Sequence, residues 1–132
     1  MINPKFYPFY IALGLSVAFF IVYILLGNQG LILSLEPNES IGDISRWCER
    51  VSGGIFREPS NALSNIGFMI LGLLMFWFLG KDIKSSNSNQ FTGINSISIL
   101  YAGAALFLGP GSLLMHGTHT EWGEWADNLS MI

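Results

Sequence analysis

Charged side chains are scarce in this chain of 132 residues, which has only six Lys and Arg and nine Asp and Glu. Charged residues make up 11% of the sequence, against about a quarter in an average soluble domain. Hydrophobic residues make up 51%, and the mean hydropathy is +0.48. These proportions exclude an ordinary water-soluble domain. The few basic residues form no cluster, so we expect no nucleic-acid partner.

Cysteine and histidine are also rare. The single cysteine, Cys48, excludes an internal disulfide. The two histidines are His116 and His119, so the chain cannot build a three-histidine zinc site from its own residues. A His-x-x-His pair can bind a metal, but His119 lies in a Gly-Thr-His-Thr segment typical of a turn. We therefore expect His119 to be exposed to solvent.

Three long segments contain no Asp, Glu, Lys or Arg: residues 7–26, 61–79 and 95–116. At 1.5 Å per helical residue, segments of about twenty residues can cross a hydrocarbon core about 30 Å thick. The sequence therefore predicts an all-α, multi-pass integral membrane protein, with one membrane domain over residues 1–132 and a polar loop at 33–60. The alternative for the first segment is a cleavable signal peptide. Its apolar core is long for one, and no small-x-small cleavage site follows before Gly27.

The order of the three segments predicts which polar residues share a membrane surface. One crossing separates the amino terminus from the polar loop, and two further crossings bring the chain back to the side of that loop. Glu49, Glu58, His116 and Asp127 are therefore expected at one surface. Lys and Arg are nearly balanced between the two sides, so the positive-inside rule only weakly favours a cytoplasmic amino terminus.

Polar side chains at the end of the third segment indicate a functional site, because ionisable groups are costly at membrane depth. Ser112 and His116 are four residues apart and would share one face of a helix. Asp127 follows after Gly117 and Gly123, which we expect to interrupt the helix. Histidine can ligate zinc, aspartate can take a proton from metal-bound water, and serine can hydrogen-bond substrate or water. The alternative is an interfacial histidine that only hydrogen-bonds water.

The polar loop contains a second group of candidates. Glu49 and Glu58 could hold a hard cation such as calcium, with backbone carbonyls and waters completing six to eight oxygen ligands. The alternative is that these glutamates pair with the arginines of the loop, which are Arg46, Arg50 and Arg57. A stripe of small polar residues follows on one helical face and is expected to join helices. Its members are Asn61, Ser64 and Asn65.

In order along the chain, these residues resemble motifs of the alkaline ceramidase family. That family belongs, with the adiponectin-receptor relatives, to a wider group of intramembrane hydrolase-like proteins. The matching blocks are Trp47-Cys48-Glu49, the run Glu58-x-x-Asn61-x-x-Ser64-Asn65, Gly111-Ser112-x-x-x-His116, and Asp127 in Asp-Asn-Leu-Ser-Met-Ile. They extend from about Trp47 to Ile132, so the segment at 7–26 precedes the resemblance and looks like an added helix.

The resemblance implies a seven-helix membrane amidase that cleaves the amide bond of ceramide or a related lipid with a zinc-activated water. By position, His116 would be one of three zinc histidines. Asp127 would handle the proton of the metal-bound water, and Ser112 would lie beside the metal. Calcium is a second cation that the resemblance implies. The positions that match calcium ligands of the animal members are Glu49, Glu58 and the Trp47 carbonyl.

The sequence departs from the family pattern in two respects. Arg46 stands where the family has an aspartate, and Val51 where it has an asparagine. The other two zinc histidines of the family form a His-x-x-x-His pair in its last helix, which this sequence lacks. We therefore expect an amino-terminal portion that ends at the start of a fourth span, lacks activity alone, and needs the remaining helices or a complementing chain. The alternative is a non-enzymatic multi-pass membrane protein, either a degenerate family member or receptor-like.

Overall fold

The computed structural model describes residues 3–37, 48–82 and 89–132. All regular elements in these ranges are helical, which confirms the all-α prediction. A single 3₁₀ turn at Pro4–Phe6 precedes five helices. The helices are α1 (Tyr7–Asn28), α2 (Pro59–Ser64), α3 (Ile66–Lys81), α4 (Ser96–Thr118) and α5 (Glu121–Ser130).

Local sequence signals explain where the helices begin. Pro59 opens α2 at a position where its missing N–H costs no helical hydrogen bond. A capping box opens α4: Asn95 Oδ1 accepts from the Ser98 backbone N–H, and the Ser98 hydroxyl accepts from the Asn95 N–H. α4 continues through Pro110, which has no N–H to donate to the preceding turn.

Three helices are long and apolar enough to cross a membrane: Pro4–Asn28, the continuous stretch Pro59–Lys81, and α4. Their positions agree with the three predicted segments to within a few residues. The chain is therefore a membrane protein, with the polar segments at the ends of its helices. The seven-helix arrangement stays a prediction.

Small residues let the helices approach closely. A Cβ on Gly72 of α3 would lie 2.6 Å from the Leu106 Cα of α4, and one on Gly111 of α4 would lie 2.8 Å from the Ala126 carbonyl oxygen of α5. Such contacts are typical of helix pairs in membranes, where the hydrophobic effect does not drive helices together and close packing holds them instead. α4 is thus held between α3 and α5, while α1 packs mainly against α3.

The chain reverses between α4 and α5, so α5 lies antiparallel to α4. Thr120 caps α5 by accepting a hydrogen bond from the Gly123 N–H. The helix breaks at His119 and Thr120, whereas Gly117 and Gly123 both lie inside helices, contrary to the prediction from sequence. With ten residues, α5 is too short to cross a bilayer. That it begins a fourth span stays a prediction.

Candidate functional site

Glu58 and His116 form a buried pair where the start of α2 meets the end of α4. Glu58 has no exposed surface, and its Oε2 lies 2.5 Å from Nδ1 of His116. The same oxygen accepts a hydrogen bond from Asn61 Nδ2 at 3.1 Å. A buried carboxylate is costly unless charged or polar partners compensate it, so this cluster must form as a unit.

Backbone hydrogen bonds bring the two side chains together. The last carbonyls of a helix have no partner within it, and here the polar loop supplies two donors. The Arg57 N–H donates to the Gly117 carbonyl, and the Glu58 N–H donates to the His116 carbonyl, both at 3.0 Å. These two main-chain hydrogen bonds therefore set the register of the loop against α4 independently of the side chains. This agrees with the predicted placement of Glu58 and His116 at one end of the helices.

His119 contradicts the prediction of solvent exposure, because only 1% of its surface is exposed. It follows the last residue of α4 in a left-handed conformation, with φ of 53°, and its N–H donates to the Met115 carbonyl. Its Nε2 lies 3.1 Å from Oε1 of Glu58. Burial lowers the pKa of His119, although the Glu58 carboxylate opposes this by favouring the protonated ring. Both histidines of the chain thus contact one carboxylate.

Glu49 caps the beginning of α2. Its two carboxylate oxygens accept hydrogen bonds from the Ser60 and Asn61 N–H groups, each at 2.7 Å. Partial desolvation raises the pKa of Glu49, but these hydrogen bonds outweigh it and hold the pKa below its usual value. Among the described residues no arginine pairs with Glu49, and Arg57 instead donates to the Leu35 carbonyl. Trp47 and Arg46 lie outside the described residues.

Tyr23 of α1 contacts both the polar loop just before Glu58 and the end of α4. Its hydroxyl donates to the Ile55 carbonyl at 3.0 Å, and its ring stacks on Phe56 with centroids 4.9 Å apart. The hydroxyl also leaves no room for a Cβ on Gly117, which explains the glycine there. The helix that precedes the family resemblance thus takes part in holding the polar loop against α4.

Asp127 lies about 7 Å along α4 from the level of His116. Because α5 runs back along α4, the neighbouring Ala126 packs on Gly111, and Asp127 is therefore level with Gly111 and Ser112. That level is about 7 Å along α4 from His116. The Asp127 carboxylate is half-buried and makes no hydrogen bond or ion pair within the described ranges. The crossing count assumed a straight exit from the third span and so did not predict this reversal.

The donor atoms of the cluster fit part of a zinc site. Nδ1 of His116 faces Glu58, so Nε2 is the ring nitrogen that would bind zinc, as in the common carboxylate–histidine–zinc arrangement. In residues 3–37, 48–82 and 89–132 no group of three His, Cys, Asp or Glu side chains has the geometry of a metal site. These residues therefore fit one oriented zinc ligand, and they do not make a complete zinc site.

The chain matches no family model, no curated protein and no solved structure at a significant level. The class of protein is thus defined by its fold and its polar residues alone. It is an all-α membrane protein with a buried Glu–His–His cluster at one end of its helices.

Proposed function

We propose that this chain is a multi-pass integral membrane protein that contributes to zinc-dependent hydrolysis of a lipid amide, with ceramide as the expected substrate class. The observation that supports the proposal is the pair of Glu58 and His116. A fully buried carboxylate against Nδ1 of a neutral histidine favours the tautomer in which Nε2 carries the lone pair for a metal. The sequence resemblance supplies the reaction and the substrate class.

Each residue then has a distinct part. His116 would bind zinc, which supplies a water of lowered pKa when it is bound. Glu58 orients the imidazole. Ser112 lies one turn before His116 on α4, where its hydroxyl would hydrogen-bond the substrate. Asp127, level with Ser112, would accept a proton from the water. A catalytic zinc requires about three protein ligands, so the others would come from outside the described residues.

Calcium would compete with hydrogen bonds that the carboxylates already accept. Both carboxylates that the resemblance implies as calcium ligands already accept hydrogen bonds, Glu49 from α2 and Glu58 from Asn61. A calcium ion bound to Glu58 would compete with His116 for the same oxygen. We therefore expect that calcium, if it binds, weakens zinc binding.

Zinc content tests the proposal. The chain, purified in mild detergent from zinc-replete cells together with the helices or complementing chain that supply the other ligands, should retain about one equivalent of zinc by elemental analysis. His116→Ala should remove the metal, and Glu58→Gln should weaken its affinity by about 10- to 100-fold. Glu121→Gln, at an exposed carboxylate at the start of α5, is the matched control and should leave zinc unchanged. A wild-type complex without zinc, or a His116→Ala complex that keeps it, would overturn the proposal.

A second candidate is a non-enzymatic membrane protein, and one observation favours it. Both histidines contact the same buried carboxylate, so the cluster is a network that ties the polar loop to α4. A purely structural network would lose stability on Glu58→Gln without any effect of zinc. Thermal unfolding of the wild type and the variant, with zinc and with a chelator, separates the two functions.

A further inference from the structure

A groove of about 600 Å³ runs along α1 and is separate from the Glu–His–His cluster. Its walls come from α1, from the segment after α1, and from single residues of α4 and α5. Representative lining residues are Leu15, Val22, Leu26, Leu35, Leu114 and Trp122. The lining is almost wholly carbon, and the one tyrosine in it, Tyr23, directs its hydroxyl to the Ile55 carbonyl.

The length and openness of the groove suit a flexible, extended occupant. From Leu15 to Leu26 the groove follows eleven residues of helix, or about 16 Å at 1.5 Å per residue. It is open along one side, because Leu15, Val22 and Trp122 are exposed. An alkyl chain can therefore enter it sideways from the surrounding bilayer.

The position of the groove determines the chemistry of its occupant. It lies along the apolar part of a candidate membrane span, between Leu15 and Leu26. Within the described part of the chain no charged side chain lines it, so these walls offer nothing to a polar ligand or an ion. Its volume is in the range of small-molecule sites, and its elongated shape matches an extended alkyl chain. Ala18 is the smallest lining residue, and its size leaves space that a larger side chain would fill.

We propose that this groove holds one acyl chain of a bilayer phospholipid. The walls that α1 shares with the 31–35 segment, Leu114 and Trp122 would enclose the chain on several sides. A lipid held this way exchanges more slowly than lipids on the exposed faces of the helices. The proposal requires only that α1 lies in the membrane. It does not depend on zinc or on hydrolysis, so it survives or fails independently of the proposed function.

Native mass spectrometry of the full chain, transferred from phosphatidylcholine nanodiscs to detergent, provides the first test. We expect one retained phospholipid on the wild type. Val22→Trp should fill the groove and reduce that fraction several-fold. Ile21→Trp, on the same helix but outside the groove, is the matched control and should retain the lipid. Equal retention in the two variants, or a retained fatty acid in place of a phospholipid, would overturn the proposal.

Photolabelling provides a second test that does not depend on a variant folding. Nanodiscs would contain a trace of phosphatidylcholine with a diazirine on its acyl chain, and labelled peptides would be mapped after illumination. We expect labelling at the groove residues Val22, Leu26 and Leu114 to exceed labelling at Leu100 and Phe78, which are exposed outside the groove, several-fold. Uniform labelling of groove and exposed residues would show ordinary surface lipid and contradict the proposal.

Discussion

Oε2 of Glu58 lies 2.5 Å from Nδ1 of His116, although the two residues are 58 positions apart in the sequence. Two backbone hydrogen bonds beside them, from Arg57 and Glu58 to the end of α4, hold the same segments in register. The contact therefore has a main-chain component that side-chain replacement leaves in place. This separation allows the energetic and chemical roles of the carboxylate to be tested independently.

Glu58→Ala should destabilise the protein strongly. It removes the carboxylate that contacts both imidazoles, and breaking a buried pair by removing one partner costs about 3–5 kcal/mol. The free energy of unfolding, measured by denaturant titration in mixed micelles, checks this. Glu121→Ala at an exposed position is the control, and a similar loss for both variants would contradict the role of burial.

Tyr23→Phe should cost about 1 kcal/mol, because it removes the hydrogen bond to the Ile55 carbonyl and keeps the ring stacked on Phe56. The melting temperature of the purified protein is the measurement. Tyr10→Phe, in the same helix at an exposed site, is the matched control and should be neutral. If both variants have the melting temperature of the wild type, the Tyr23 hydroxyl does not anchor the polar loop.

Gly72→Ala should destabilise the packing of α3 on α4 by about 1–3 kcal/mol. The added Cβ would meet the Leu106 backbone at 2.6 Å, and a backbone cannot move aside as a flexible side chain can. Gly103→Ala in α4 meets nothing within 4 Å and should be neutral or stabilising by up to about 1 kcal/mol. Unfolding free energies of the two variants should therefore change in opposite directions or differ by more than about 1 kcal/mol.

His119→Gly should be more stable than His119→Ala by about 1 kcal/mol. Both variants lose the contact with Glu58, but only glycine adopts a positive φ without strain. Comparison of the two melting curves separates the effect of the backbone conformation on stability from the effect of losing the imidazole ring. Equal stability would show that the turn after α4 relaxes to another conformation when the ring is removed.

The helices could be predicted from the sequence because uncharged apolar runs of about twenty residues are typical of membrane spans and rare elsewhere. The three segments followed from these runs, and the end at which Glu58 meets His116 followed from counting crossings. The position of Asp127 could not be predicted in this way, because the sharp reversal after α4 depends on a residue in the left-handed conformation that is not glycine. Glycine normally marks such a turn, and His119 gave no comparable signal.

The partners of the glutamates were also beyond the reach of the sequence. Carboxylates and arginines close together in a loop suggested ion pairs or a calcium site. In the structure the oxygens of Glu49 instead accept hydrogen bonds from the backbone N–H groups at the start of α2. The His-x-x-His spacing was visible, but only the fold shows that both rings reach Glu58. The groove along α1 depends on residues from four separate segments, and no local pattern encodes it.

The reversal at His119 has a consequence for assembly in the cell. α4 and α5 are neighbours in sequence, joined by two residues, so their pairing closes a very short loop and should be fast. The polar loop and α3 are synthesised earlier and must wait for this hairpin to emerge. We therefore expect the buried carboxylate to acquire both imidazoles in one late step, when the reversal delivers them together.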